Sequence, residues 1–371
     1  MPTQGKRTQN SRTQKRKKPS QAGKLALKYA YRALVAISAV IVTFYVVHAL
    51  LVREPTVDAP STPTQPGTVT DNPNTPEDES QNTLPPEDVK ELKDQCYTFL
   101  LAASDQASGN TDTIIVVTYD VPNQKVGMVS VPRDTLIERT IGSRTYHKIN
   151  AAYPYGGMEE LQAAVSELLG IPIHFTIKVN INGFVELVDA VGGVDFEVPV
   201  HMSYDDPTQD LHIHYEPQMY YGLTGQQVLE IARCRSNSDG DPNVNGGVYP
   251  AYPDSDIGRT RTQQQLLIAI AKKMLSWNSL TRINEYINIF QENVQTNLEL
   301  TEMIWFAEQV FYGMDLSTGV TTATLPGDGA VSYNGASVYE LFPEEVLEIV
   351  NTMLNPYTED LTLEDLTIFQ K

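Results

Sequence analysis

Residues 111–134 read TDTIIVVTYDVPNQKVGMVSVPRD. Two runs rich in β-branched residues, Thr113–Asp120 and Lys125–Val131, flank Val121-Pro122-Asn123-Gln124, whose Pro and Asn favour a turn. The stretch predicts a hairpin. Centred between Pro122 and Asn123, it sets Asp112 opposite Arg133 with Asp134 alongside, so two carboxylates and a guanidinium meet at the open end of an apolar ladder. Two readings of these charges stay open: strand-end ion pairs and caps, or groups held there for chemistry.

Outward from the hairpin, strands alternate with helices. Tyr97–Ala102 is a short apolar strand. Met158–Leu169 repeats apolar residues at helical spacing and stops at Gly170, and Ile171, Ile173, Phe175, Ile177 and Val179 then alternate as in a half-buried strand. A helix over Phe184–Ala190, a break at Gly192-Gly193, a strand Val194–Val200 and a helix over Gly225–Ala232 follow. The longest predicted helix starts near Asp256 and reaches about Leu275, with Leu266, Leu267, Ile270, Ala271, Met274 and Leu275 towards the core. Helices over Thr301–Gly313 and Pro343–Leu354 close the chain. The expected fold class is α/β: a mixed central sheet sandwiched by helices, α/β/α, preceded by one transmembrane helix.

The first 32 residues carry ten Lys or Arg and no acid, leaving 17 of the 27 basic residues against 46 acidic ones, a net of −29, for the rest. A body so acidic repels nucleic acid, and no nucleic-acid partner is expected. Residues 33–52 carry no formal charge with histidine neutral and are long enough to cross a bilayer core of about 30 Å. Because the basic residues precede the span, the N-terminus is expected in the cytoplasm and the body outside. Residues 53–88 hold eight of the 23 prolines and few large apolar side chains, the composition of an unfolded, extended linker. The organisation read from this is a basic cytoplasmic tail over 1–32, an uncleaved signal anchor over 33–52, a linker over 53–88 and an extracellular catalytic domain over 89–371. The exported part contains Cys96 and Cys234, which are either a disulfide or two buried thiols.

Further charges suit an anion. Asp105, seven residues before Asp112, follows the first strand closely enough to curl back to the same rim. Arg233 and Arg235 point the same way if the segment after the helix is extended, a fork for bidentate phosphate contact. Asp256, Arg259 and Gln263 fall at i, i+3 and i+7, one stripe at the start of the long helix and opposite its apolar face, where the helix end favours a pyrophosphate. Solvated surface charges are the plain alternative for each. His212 and His214 have metal-like spacing with no third ligand, and read as a surface pair.

The segments TDTIIVVTYD with VSVPRDTLIE, HKINAAYPYGG, FVELVDAVGGVDFEVP, GQQVLEIARCR and DIGRTRTQQQ stand in the order and spacing of the LytR-CpsA-Psr family, which this chain resembles over about residues 95–275. The resemblance implies a phosphotransferase that moves a glycopolymer phosphate from a polyprenyl pyrophosphate carrier to a peptidoglycan acceptor, with Mg²⁺ as cofactor. By the same resemblance, Asp105 and Asp112 hold the metal and Arg133 binds pyrophosphate. Arg233, Arg235, Asp256, Arg259 and Gln263 surround that pyrophosphate, and Lys148 and Asn150 match the KINAAY signature. Asp134 or Asp105 is the expected general base. The chain departs from the family pattern in three places: Thr262 stands where an arginine is usual, with Arg261 beside it as a possible substitute; Ala103 replaces a frequent glycine; and the Ser236–Ser255 connection is longer. Two other functions fit the same residues, a lipid pyrophosphatase and a non-catalytic protein that binds lipid-linked precursors.

Overall fold

The computed structural model describes Ser38 and residues 52–57, 90–104, 111–206, 211–276 and 283–371. The basic tail, most of the apolar segment 33–52, most of the linker and Asp105 lie outside these residues. Among the described residues no helix is long and apolar enough to cross a membrane.

A six-stranded sheet organises the domain. Its strands are β1 (Cys96–Ser104), β2 (Thr111–Asp120), β3 (Lys125–Ser130), β4 (Phe175–Asn180), β5 (Val294–Thr296) and β6 (Val320–Thr324), in the spatial order β5-β4-β1-β2-β3-β6. The β2–β3 hairpin has the expected register, pairing Asp120 with Lys125 and Ile115 with Ser130. β1 runs parallel to β4 and β3 parallel to β6, while β2 opposes both its neighbours. The carboxyl ends of β1, β3, β4 and β6 therefore share one edge of the sheet with the amino end of β2. In open α/β sheets that edge is where ligands bind.

The helices are α1 (Ala152–Leu169), α2 (Ile181–Ala190), α3 (Gly225–Arg233), α4 (Asp256–Met274), α5 (Ile283–Asn293), α6 (Leu300–Gly313) and α7 (Pro343–Ile349). One face of the sheet, with Leu100, Ile114, Val116 and Val129, buries Leu161, Val165 and Leu168 of α1 and Val346 of α7. On the other face Phe306 of α6 packs edge-on against Tyr97, Phe99 and Phe175. A second apolar cluster joins Val188 of α2, Val228 and Ile231 of α3, and Leu266 and Ile270 of α4.

Several boundaries move for local reasons. The alternating run Ile171–Val179 becomes a strand only at Phe175, because Pro172 has no N–H and its carbonyl accepts the Thr98 hydroxyl at 2.5 Å. The strand over Val194–Val200 stops at Glu197, two residues before Pro199. α1 starts earlier than its periodic stretch and kinks at Gly156-Gly157, where Gly157 takes φ 71°. α2 also starts earlier, capped by the Asn180 side chain accepting from the Gly183 amide at 2.7 Å. α7 ends at Ile349 and passes into one π turn, Val350–Leu354. Cys96 and Cys234 are separate buried thiols, and burial raises both to about 11.

Candidate active site

The rim of the sheet at the β2–β3 end gathers most of the charges singled out above. Ala103 pairs with Thr113 and Ser104 with Thr111, so Asp112 is the extra residue of a β-bulge. A bulge re-aims its side chain, and here the Asp112 Oδ1 accepts from Arg133 Nη1 at 2.7 Å. Arg133 Nε lies 3.7 Å from Asp134 Oδ2, and Asp134 Oδ1 accepts from Lys148 Nζ at 2.8 Å. Asn150 enters through its backbone, its N–H donating to the Arg133 carbonyl at 3.1 Å and its carbonyl accepting from the Thr111 hydroxyl at 3.5 Å.

α4 closes the other side. Its first residue, Asp256, holds Arg259 Nη2 at 2.7 Å. Arg259 is only 9 % exposed and its Nε has no hydrogen-bond partner among the described residues. Burial lowers its pKa, and Arg133 and Arg235 push in the same direction, against Asp256 and Asp112. For Arg133 burial also opposes the charge, but the Asp112 hydrogen bond and the nearby Asp112, Asp134 and Asp256 outweigh it and raise the pKa. These mutual influences place Arg133, Arg235, Arg259, Asp112, Asp134 and Asp256 in one field. With Lys148, four cations face three carboxylates within a strongly acidic protein. Such a surplus of guanidinium and ammonium groups is suited to an anion with several oxygens.

The stripe read on the long helix is corrected by the structure. Arg259 and Thr262 are buried in line with Leu266 and Ile270, so the polar stripe continues the core face and does not oppose it. Packing against α3 explains this: Gln263 Nε2 donates to the Ala232 carbonyl at 2.9 Å, tying α4 to the last turn of α3. Arg233 belongs to that last helical turn, so it and the exposed Arg235 are not two residues of one extended fork. Arg261 is turned away, with Nη2 on Asp254 at 2.8 Å, and does not stand in for the usual arginine at 262.

Two residues had no mark in the pattern. Gln264 is buried and donates to Ser130 Oγ at 2.9 Å and to the Ala323 carbonyl at 2.7 Å, locking α4 to β3 and β6. Tyr252, in the 236–255 connection, reaches back beside α4. Only the recurrence of two tyrosines, Tyr249 and Tyr252, in a Gly- and Pro-rich stretch hints at it in the sequence. His212 and His214 lie apart, both half exposed and both on Asp205 Oδ1, at 2.6 and 3.2 Å.

A sequence profile described as the LytR_cpsA_psr family matches residues 67–355. The chain belongs to the LytR-CpsA-Psr family. It is 30% identical over 276 residues to a Bacillus cereus polyisoprenyl-teichoic acid–peptidoglycan teichoic acid transferase TagU, covering 74% of this chain and 82% of that protein. The TagU of Bacillus anthracis is 32% identical over 273 residues, with 73% and 82% covered. The crystal structure of Bacillus subtilis TagV superposes with a TM-score of 0.57 at 26% identity, covering 70% of this chain and 96% of that one. The mixed sheet between helices is thus the fold of the LytR-CpsA-Psr family.

Proposed function

We propose that this chain transfers a glycopolymer phosphate from a polyprenyl pyrophosphate to peptidoglycan at the rim formed by Asp112, Arg133, Asp134, Lys148, Arg235 and Arg259. The observation that carries the reading is the convergence of four cations on the ligand-binding edge of the sheet, one of them a buried arginine with a donor to spare. The names of the TagU relatives, which act between a polyisoprenyl-linked teichoic acid and peptidoglycan, support the donor and acceptor classes.

The cations bind the pyrophosphate and stabilise the charge that develops on it. An acceptor hydroxyl forms a new O–P bond to the sugar-linked phosphorus, the bond from that phosphorus to the bridging oxygen breaks, and polyprenyl phosphate leaves. The hydroxyl proton passes to a carboxylate, the rim's Asp134 or else Asp105, which lies outside the described residues. A Mg²⁺ ion, when bound, neutralises pyrophosphate oxygens. Asp112 fits that role because Arg133 hydrogen-bonds to Oδ1, with no hydrogen bond to Oδ2 among the described residues, and Mg²⁺ is usually held by one or two carboxylates together with substrate oxygens. Asp105 would be the second. In this reading residues 33–52 anchor the protein and the domain works outside the membrane.

Release of polyprenyl phosphate from a lipid-linked donor, measured with and without peptidoglycan, tests the reading. Transfer requires the acceptor, whereas equal release in its absence marks a pyrophosphatase.

A further inference from the structure

The departure from the family pattern at Thr262 coincides with a residue that the longer connection brings in. Thr262 is 1 % exposed, and Tyr252 beside it 4 %. The tyrosine packs so closely on the start of α4 that a Cβ on Gly258 would lie 2.6 Å from its Cβ and its Cδ1. The turn delivering it is tight: the Ser255 amide donates to the Tyr252 carbonyl at 3.1 Å, and Ser255 sits at φ 53°. Arg261 then secures the turn through Asp254.

Among the described residues the buried Tyr252 hydroxyl makes no full hydrogen bond, and the Thr262 side chain is the polar group beside it. Arg259 Nε is in the same condition, and the Arg259 charge acts on the Tyr252 hydroxyl. Leaving a buried donor unpaired costs on the order of 1–3 kcal/mol, so two neighbouring ones call for an explanation. Both are donors and neither has an acceptor among the described residues. Burial pushes the tyrosine pKa up to about 12, which keeps the proton on the hydroxyl at neutral pH.

We propose that Tyr252 is a substrate-binding residue, its hydroxyl donating together with Arg259 Nε to one oxygen of the donor pyrophosphate where the family pattern supplies a second helix arginine. This rests on the pyrophosphate reading of the site and adds to it a contact from the 236–255 connection. A neutral donor replaces a cation, so the site binds its anion with one charge fewer.

Geranyl pyrophosphate binding to the full-length protein in detergent, measured by calorimetry for wild type and Tyr252→Phe, tests this. The phenyl ring keeps the packing on Gly258 and removes an unpaired hydroxyl, so the variant is expected to melt at the wild-type temperature or above it. Its dissociation constant is expected to rise about tenfold, the effect of losing one hydrogen bond to a charged group. Tyr252→Phe that binds as tightly as wild type overturns the proposal and leaves Tyr252 a wedge. If the wild type does not bind geranyl pyrophosphate at all, the pyrophosphate reading fails and this proposal with it.

Discussion

Asp112 owes its position to one extra residue in a strand. The bulge turns its carboxylate into the rim, where it meets Arg133 while 42% of its side chain stays exposed. An ion pair so exposed contributes about 0–1 kcal/mol to stability, so replacing it tests the proposed chemistry with little effect on the fold. Asp112→Asn is expected to lower transfer at least about a hundredfold and to leave the melting temperature nearly unchanged. Near-normal turnover at limiting Mg²⁺ places the metal elsewhere. His174 carries a prediction of the opposite kind, about stability. Its Nδ1 accepts from the Thr98 amide at 3.0 Å, its Nε2 is buried without a partner among the described residues, and burial lowers its pKa from 6.5 to about 4. The folded protein therefore holds this ring neutral at pH values where the unfolded chain protonates it. Its contribution is complete above about pH 6.5 and is lost as pH falls towards 4, at up to about 1.4 kcal/mol per pH unit. Denaturation at pH 4.5 and 6.5 is expected to show a smaller stability difference in His174→Asn, whose amide oxygen can take the Thr98 bond without titrating. An unchanged difference assigns the slope to other groups.

At the scale of elements, the β2–β3 hairpin was legible because two β-rich runs around a Pro-Asn turn admit one register, and that register predicts the Asp112–Arg133 pair now seen at 2.7 Å. The start of the long helix at Asp256 was legible for a similar reason, a change of period after a loop. Its orientation was not. Local pattern sets Arg259 among polar neighbours, but the contact with α3 and the bond from Gln264 to β3 and β6 turn it inwards. The Gly327–Tyr333 and Ala336–Leu341 hairpin, largely exposed, lacks the alternation that marks a half-buried strand. Close approach between elements also leaves little trace in pattern. Gly127 in β3 lies so near the π turn after α7 that a Cβ would stand 1.9 Å from the Met353 carbonyl oxygen. Backbone cannot yield as a side-chain end can, so Gly127→Ala is expected to cost about 3 kcal/mol or more in urea denaturation. A loss below about 1 kcal/mol would mean that the turn and the strand separate easily.

For the whole molecule, the proposed chemistry requires the acidic domain and its substrate to share one side of a membrane. The ten basic residues before position 33 and the uncharged stretch over 33–52 predict that side to be the outer one. Protease added to intact, wall-stripped cells is expected to cut in the 53–88 linker and release the domain beginning near residue 89. Protection until the membrane is broken would place the domain inside and remove its acceptor. The charge balance fits this arrangement, since an acidic domain that keeps four cations at one rim directs an anionic headgroup to that rim. The central claim is transfer, and the product decides it. Purified full-length protein is incubated with a polyprenyl-pyrophosphate-linked glycopolymer and peptidoglycan, and the digested peptidoglycan is searched by mass spectrometry for a phosphodiester-linked sugar. The account predicts that linkage with the wild type and its loss with Asp112→Asn; glycopolymer phosphate freed into solution, with unmodified peptidoglycan, would contradict it.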